Sequence, residues 1–309
     1  MPRTGYLFSE TCIDHDPGRG HPERPERLMA VRDAVDAAKL ALTPVDIVSA
    51  VRADLRRNHT ADHVDTIEET CRTSAPYPDP DTTMIPASWD AALLAAGAGV
   101  TACRAVLDGE VDNAFCAVRP PGHHCEADRA MGFCLFNSIA IAARWLREER
   151  GIKRVAIFDW DVHHGNGTQH SFYDDDSVYY ASIHQHPLYP GTGDPAERGA
   201  GNCNLNIRMA YGNGPTEWLA AMDEQVLPEF QRFDPEVLLI SAGFDAHERD
   251  PLGGQRLTTE TFAEMTRKLM PLANGRIVSM MEGGYDLKGL ADSVVAHLRV
   301  LNSGASEND

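Results

Sequence analysis

The chain has 309 residues, 43% hydrophobic and 24% charged, and its 28 basic and 46 acidic side chains leave a net charge of −18. That is enough apolar material for a sizeable core, and a field of that sign opposes non-specific nucleic-acid binding while favouring cationic ligands such as lysine-rich tails or polyamines. Plain solubility explains the same charge equally well. No run of 18 apolar residues occurs, which predicts no membrane-spanning helix, and "MPRTGYLFSETCIDHDPG" lacks the apolar stretch of a signal peptide, so a cytoplasmic protein is expected.

In chain order, helical patterns run over 24–41 and 60–72, followed by the loop-like "TSAPYPDPDTT" (73–83) and a third helical pattern over 88–108. The first strand candidate, "NAFCAV" (113–118), leads into a Pro-Pro-Gly turn carrying the adjacent pair His123 and His124. A lone histidine is usually structural, but a tandem pair at a strand end suits metal binding or proton transfer. A helix is predicted over 136–150, and then "RVAIFDW" (154–160) runs into Asp161, His163 and a glycine-rich turn. If that run stays extended, Asp159, Asp161 and His163 point to one face, roughly 6.6 Å apart. Two carboxylates and an imidazole on one spot call for a cation.

Strand candidates follow at 177–183 and 202–207, and a helix at 215–232. "EVLLISAG" (236–243) is followed by Asp245, the first carboxylate beyond that apolar run. A helix N-cap is its bland alternative. After a helix over 259–273, "GRIVSMM" (275–281) leads to Gly283 and Gly284, which let the backbone pass close to a ligand, and to Tyr285; a last helix covers 286–301. Near-continuous apolar strands alternating with helices predict an α/β fold with a mainly parallel sheet covered on both faces. No linker divides residues 1–309, so a single domain is expected, with its ligand site outside the carboxyl ends of the strands. Asp161, His163 and Asp245 there form a three-ligand O/N/O set with a position left for water, the composition of a catalytic zinc site. The seven cysteines are scattered without a CxxC pair, which argues against disulfides and thiolate zinc and for reduced, mostly buried thiols.

"RPPGHHCEADRAMGFCLFN", "DWDVHHGNGT", "SAGFDAHERDPLGG" and "EGGYDL" resemble the signature segments of the zinc-dependent histone deacetylase and acetylpolyamine amidohydrolase family, in its class II-like bacterial branch. "HPERPERL" (21–28) and "ALLAAGAGV" (92–100) are similar to other segments of that family, in the same order. The resemblance implies an arginase/deacetylase-type α/β domain with a central sheet of about eight strands. It implies one zinc ion on Asp161, His163 and Asp245. His124 then acts as general base and later acid, and His123 as its charged neighbour. Asp159 and Asn166 are their hydrogen-bond partners, and Tyr285 is the donor to the developing oxyanion. Gly132 and Phe133 are implied as a channel wall, although Phe133 could be ordinary core.

The resemblance also implies structural potassium. One site takes side chains of Asp159, Asp161 and Ser182 with carbonyls of Asp161, His163 and Ile183; a second takes carbonyls around Phe172, Asp175 and Val178. Arg27 matches a buried arginine near the product channel, or caps a salt-bridge network. A channel-mouth carboxylate of polyamine-specific relatives falls where this chain has Leu252, which favours acyl-lysine in peptides or proteins over acetylpolyamines. Asp79, Asp81 and Glu248 are the carboxylates that could restore polyamine binding, and Met131 could reshape the inner channel. A homo-oligomer is expected, with no nucleic-acid or membrane partner. A non-catalytic metal-binding scaffold would not need His124, Tyr285 and three ligands together.

Overall fold

The computed structural model describes residues 2–303. Eight strands form one sheet: β1 Thr4–Phe8, β2 Thr43–Pro44, β3 Asn113–Ala117, β4 Val155–Asp159, β5 Val178–Gln185, β6 Asn204–Met209, β7 Val237–Ala242 and β8 Ile277–Met281. Their spatial order is β2-β1-β3-β8-β7-β4-β5-β6, and every pairing is parallel. Strands β3, β4, β7 and β8 are buried along their whole length, as their unbroken apolar runs predict. The last strand in the chain lies at the centre of the sheet, between β3 and β7.

The helices are α1 Glu26–Ala38, α2 Arg52–Leu55, α3 Ala61–Thr73, α4 Pro86–Leu107, α5 Ser138–Arg150, α6 Asn166–Phe172, α7 Pro215–Ala221, α8 Leu227–Phe233, α9 Thr259–Leu269 and α10 Leu287–Ser303. Helices α1, α9 and α10 pack together over one face, and α3, α4, α5 and α6 over the other. Local chemistry sets their ends. Asn137 caps α5 by accepting from the Ala140 amide at 3.0 Å. Lys39, at φ 50°, ends α1 before the expected residue 41. The predicted helix over 215–232 is interrupted by a π turn at Met222–Val226. Strands β1 and β2 and the short α2 and α6 were not anticipated.

Helix α4 bears on the expectation about membrane spans. Its 22 residues are long and apolar enough, by length and composition alone, to cross a membrane. Here 72% of its most apolar window is buried inside the fold, against α3, α5 and the strands β1, β3 and β8. It is the core helix of one layer. Small residues let it seat deeply: a Cβ on Gly97 would meet the Val48 carbonyl oxygen at 2.1 Å.

Candidate active site

The four strands whose ends carry the unusual residues, β3, β8, β7 and β4, are neighbours in the sheet. Their carboxyl ends therefore open onto one place. The strand predicted over 154–160 ends at Asp159, so the chain does not stay extended to His163. Beyond it, the Asp161 amide donates to Asp159 Oδ1 at 3.2 Å and the His163 amide to Asp161 Oδ1 at 2.9 Å. These Asx-type turns coil the chain so that successive acidic side chains converge instead of alternating along a strand.

Asp161, His163 and Asp245 come together with one donor atom from each within 4.8 Å of the others. His163 Nδ1 lies 3.0 Å from Asp161 Oδ1 and 3.1 Å from Asp245 Oδ2. Both carboxylates are fully buried and held by backbone amides: Val162 donates to Asp245 Oδ1 at 2.8 Å, and Gly283 donates to Asp161 Oδ2 at 2.8 Å, the His163 amide holding the other oxygen. Burial alone would push the His163 pKa down, but the two carboxylates outweigh it and raise it to about 10. Burial, then the neighbouring Asp161, pushes Asp245 up to about 7. Two buried carboxylates that draw a proton onto their imidazole are a site built for a positive charge. The oxygen–nitrogen–oxygen donor set fits zinc.

A second trio, His59, His63 and Cys125, also brings three donor atoms within 4.8 Å. There, however, His59 Nδ1 meets the Glu126 carbonyl at 3.0 Å and its Nε2 accepts from the Asn137 amide at 2.9 Å. Both nitrogens are committed to the backbone.

The paired histidines sit beside the first trio with ring centroids 4.0 Å apart. His123 Nδ1 meets Asp159 Oδ2 at 3.0 Å. Burial opposes its charge, but Asp159, Asp161 and Glu282 overcome that and hold its pKa well above the usual value. His124 Nδ1 meets Asn166 Oδ1 at 2.9 Å. Burial, then the neighbouring His123 and His163, push its pKa well below the usual value. One ring is thus kept charged and its neighbour neutral. Tyr285 is 7% exposed, and burial raises its hydroxyl pKa well above 10 against the influence of Arg27, so the phenol remains a donor.

These groups meet at a cavity of about 260 Å³ lined by His124, His163 and Tyr285 with Gly132, Phe133, Leu188, Tyr189, Leu252, Asp79 and Asp81. Gly132 has φ +57°, and a Cβ there would lie 2.5 Å from His124 Cδ2, so that position requires glycine. Phe133 meets the Tyr285 ring edge-on at 5.9 Å. Tyr189 lines the same cavity, edge-on to His124 at 5.1 Å, and sequence reasoning missed it. An aromatic in "HPLYPG" carries no periodic signal; its nearness to the end of β5 was the only hint.

Two expectations need correction. Gly283 and Gly284 do not line the cavity. A Cβ on Gly283 would lie 2.1 Å from Asp245 Oδ2, so this glycine makes room for the carboxylates and not for a substrate. The Gly284 carbonyl accepts from Arg27 Nε at 2.6 Å. Arg27 also pairs with Glu23 at 2.7 Å and donates to the Glu282 carbonyl, as the salt-bridge alternative anticipated. Glu248 is exposed and away from the cavity lining. Ser182 stands opposite Asp159 in the β4–β5 register, with Ile183 next along β5. Its hydroxyl meets His184 Nδ1 at 3.0 Å. The Phe172 carbonyl accepts from the Asp175 amide at 3.0 Å and the Asp175 carbonyl from Val178 at 3.4 Å, forming the turn between α6 and β5.

The histone deacetylase domain model matches residues 21–301. Histone deacetylase 5 of Arabidopsis thaliana is 39% identical over 322 aligned positions, which take in 97% of this chain and 49% of that protein. A probable deacetylase of Archaeoglobus fulgidus is 39% identical over 299 positions, 93% of this chain and 82% of its own. The crystal structure of the HDA15 HD domain is similar over 100% of this chain and 90% of that one, with a TM-score of 0.94 at 36% identity. The chain thus spans about half the length of the plant relative it matches.

Proposed function

Since the chain belongs to the histone deacetylase family, we propose that it is a zinc-dependent amidohydrolase that removes acetyl or other acyl groups from lysine side chains of peptides or proteins. The observation that carries this reading is the buried Asp161–His163–Asp245 trio beside His124 and Tyr285 on one cavity. Those three residues would hold one zinc ion per chain, which when bound supplies a Lewis acid for the amide carbonyl and acidifies water.

The remaining chemistry belongs to the chain. His124 is neutral, its Nδ1–H committed to Asn166, so Nε2 has a lone pair to take the proton of the attacking water. It later returns that proton to the departing lysine nitrogen. His123, held protonated by Asp159, places a positive charge beside the negative charge that develops. Tyr285 donates its hydroxyl hydrogen bond to the carbonyl oxygen as it becomes an oxyanion. Phe133 and Tyr189 flank the lysine methylenes and exclude water from them. Structural potassium at Asp159, Asp161, His163, Ser182 and Ile183, and around Phe172, Asp175 and Val178, belongs to the same reading. So does a cytoplasmic homo-oligomer that binds neither nucleic acid nor membrane.

A second reading, acetylpolyamine deacetylation, draws on one observation: Asp79 and Asp81 both line the cavity. Asp79 Oδ2 is already shared by the Gly132 amide and Thr82 at 2.9 and 2.7 Å, which leaves the exposed Asp81 freer to hold a distant ammonium. Leu252, 36% exposed and apolar on the same cavity, favours the peptide substrate. Steady-state hydrolysis of an acetyl-lysine peptide beside acetylspermidine and acetylputrescine separates the two. Preference for the peptide, abolished by chelation and restored by one equivalent of zinc, is expected. Preference for the polyamines, lost in Asp81→Asn, would establish the second reading, and silence on all three substrates in the zinc-loaded protein would remove the second reading and confine the first to longer or hydroxylated acyl groups.

A further inference from the structure

The amide of Asn166 has a fixed orientation whose cause lies outside the residues assigned above. Its Oδ1 faces His124 Nδ1. Its Nδ2 faces three acceptors: Glu126 Oε1 at 2.9 Å, the His124 carbonyl at 3.2 Å and Met131 Sδ at 3.4 Å. Turned over, the amide would set its oxygen against a carboxylate, a carbonyl and a thioether, none of which donates a hydrogen bond. The carboxylate is the strongest of the three acceptors.

We propose that Glu126 is a positioning residue for the general base, acting through Asn166 to hold His124 in the tautomer protonated at Nδ1. The chain of hydrogen bonds carries the selection. Glu126 fixes which end of the amide faces inward, and the inward oxygen fixes the proton on Nδ1. That leaves the lone pair on Nε2, bonded to the Cδ2 atom that packs against Gly132 on the cavity wall. The inference rests on His124 being the base.

Glu126 is itself tethered from the surface. Its Oε2 lies 3.2 Å from Arg129 Nη2 and 3.7 Å from His170 Nδ1, both on exposed side chains, while its own side chain is 18% exposed. It forms part of a second cavity of about 750 Å³ that shares Asp79 and Tyr189 with the first. One oxygen thus faces solvent partners while the other is spent on the amide.

The test compares zinc-loaded wild type with Glu126→Ala, Glu126→Gln and His124→Ala. Steady-state kinetics on the acetyl-lysine peptide are joined to nitrogen-15 histidine NMR, the His124 signals being assigned by their loss in His124→Ala. Glu126→Ala is expected to lower kcat by about 10- to 100-fold with KM within about twofold, and to shift the His124 nitrogens away from the Nδ1–H pattern. Glu126→Gln, whose amide oxygen still accepts from Asn166, should recover most of the rate and the pattern. A Glu126→Ala protein with wild-type kcat and an unchanged tautomer overturns the inference, since the His124 carbonyl alone would then hold the amide. Equal losses in both Glu126 variants with the tautomer unmoved overturn it too. Wild-type activity in His124→Ala would instead remove the reading beneath it.

Discussion

The Tyr285 hydroxyl is worth most when the carbonyl oxygen carries charge, so its removal should fall on the chemical step. Tyr285→Phe is expected to lower kcat by about 10²- to 10³-fold with little change in KM, measured on the zinc-loaded enzyme. A matched rise in KM at constant kcat would recast the tyrosine as a substrate clamp. At this scale much of the site could be read in advance, for a physical reason. Asp161, His163 and Asp245 are polar groups set directly after apolar runs, where a packed sheet has no use for them, and they do converge. Gly283 was read wrongly because a glycine marks only that something comes close. Here the close neighbours are the Asp161 and Asp245 carboxylates. Tyr189 and Glu126 left no mark, since the first stands in an irregular loop and the second resembles any half-exposed acid.

Among the elements, helix α4 is held at close quarters by a crossing segment. The 48–50 segment crosses it with the Ala50 amide donating to the Leu93 carbonyl at 2.9 Å, and Gly97 permits that approach. Gly97→Ala should destabilise the protein by about 1–3 kcal/mol, because backbone must move to admit the methyl, even though alanine is the better helix former. A urea midpoint equal to or above wild type would show that the crossing segment yields freely. The long elements were legible from apolar periodicity and run length. Three of the four exceptions share a cause: β2 has two residues, α2 four, and α6 seven opening on "NGTQ", too short to display a period, whereas β1 is as long as β3 and was missed for want of a continuous apolar run in "TGYLF". The chain does not stay extended from β4 to His163 because aspartate side chains capture the next amides and turn it.

Across the whole molecule, buried histidines that are not among the proposed metal ligands tie stability to pH. Burial, then the nearby His63, lowers the His59 pKa to about 3, and burial alone does the same to His297. Their contribution is complete above the unfolded value of about 6.5 and declines as pH falls toward 3, because only the unfolded chain takes up the protons. Between about pH 6 and pH 4 the pair should cost about 3 kcal/mol per pH unit. Urea midpoints at pH 7, 6 and 5 should fall in step, and a flat series would mean that both rings are protonated in the native state. The parallel, helix-covered sheet was legible from the alternation of apolar runs with helices, but the strand order was not, since pairing partners leave no trace in local sequence. That order reaches back into biosynthesis. Ile277–Met281 is the only bridge between β3 and β7 among the described residues, and it is also the last of these eight strands in chain order. Until it leaves the ribosome, the nascent chain holds two unjoined half-sheets and an apolar α4 with part of its cover missing. A truncated transcript, a stalled ribosome or a premature stop near the end would therefore yield a target for chaperones and proteases, not a slightly shorter enzyme.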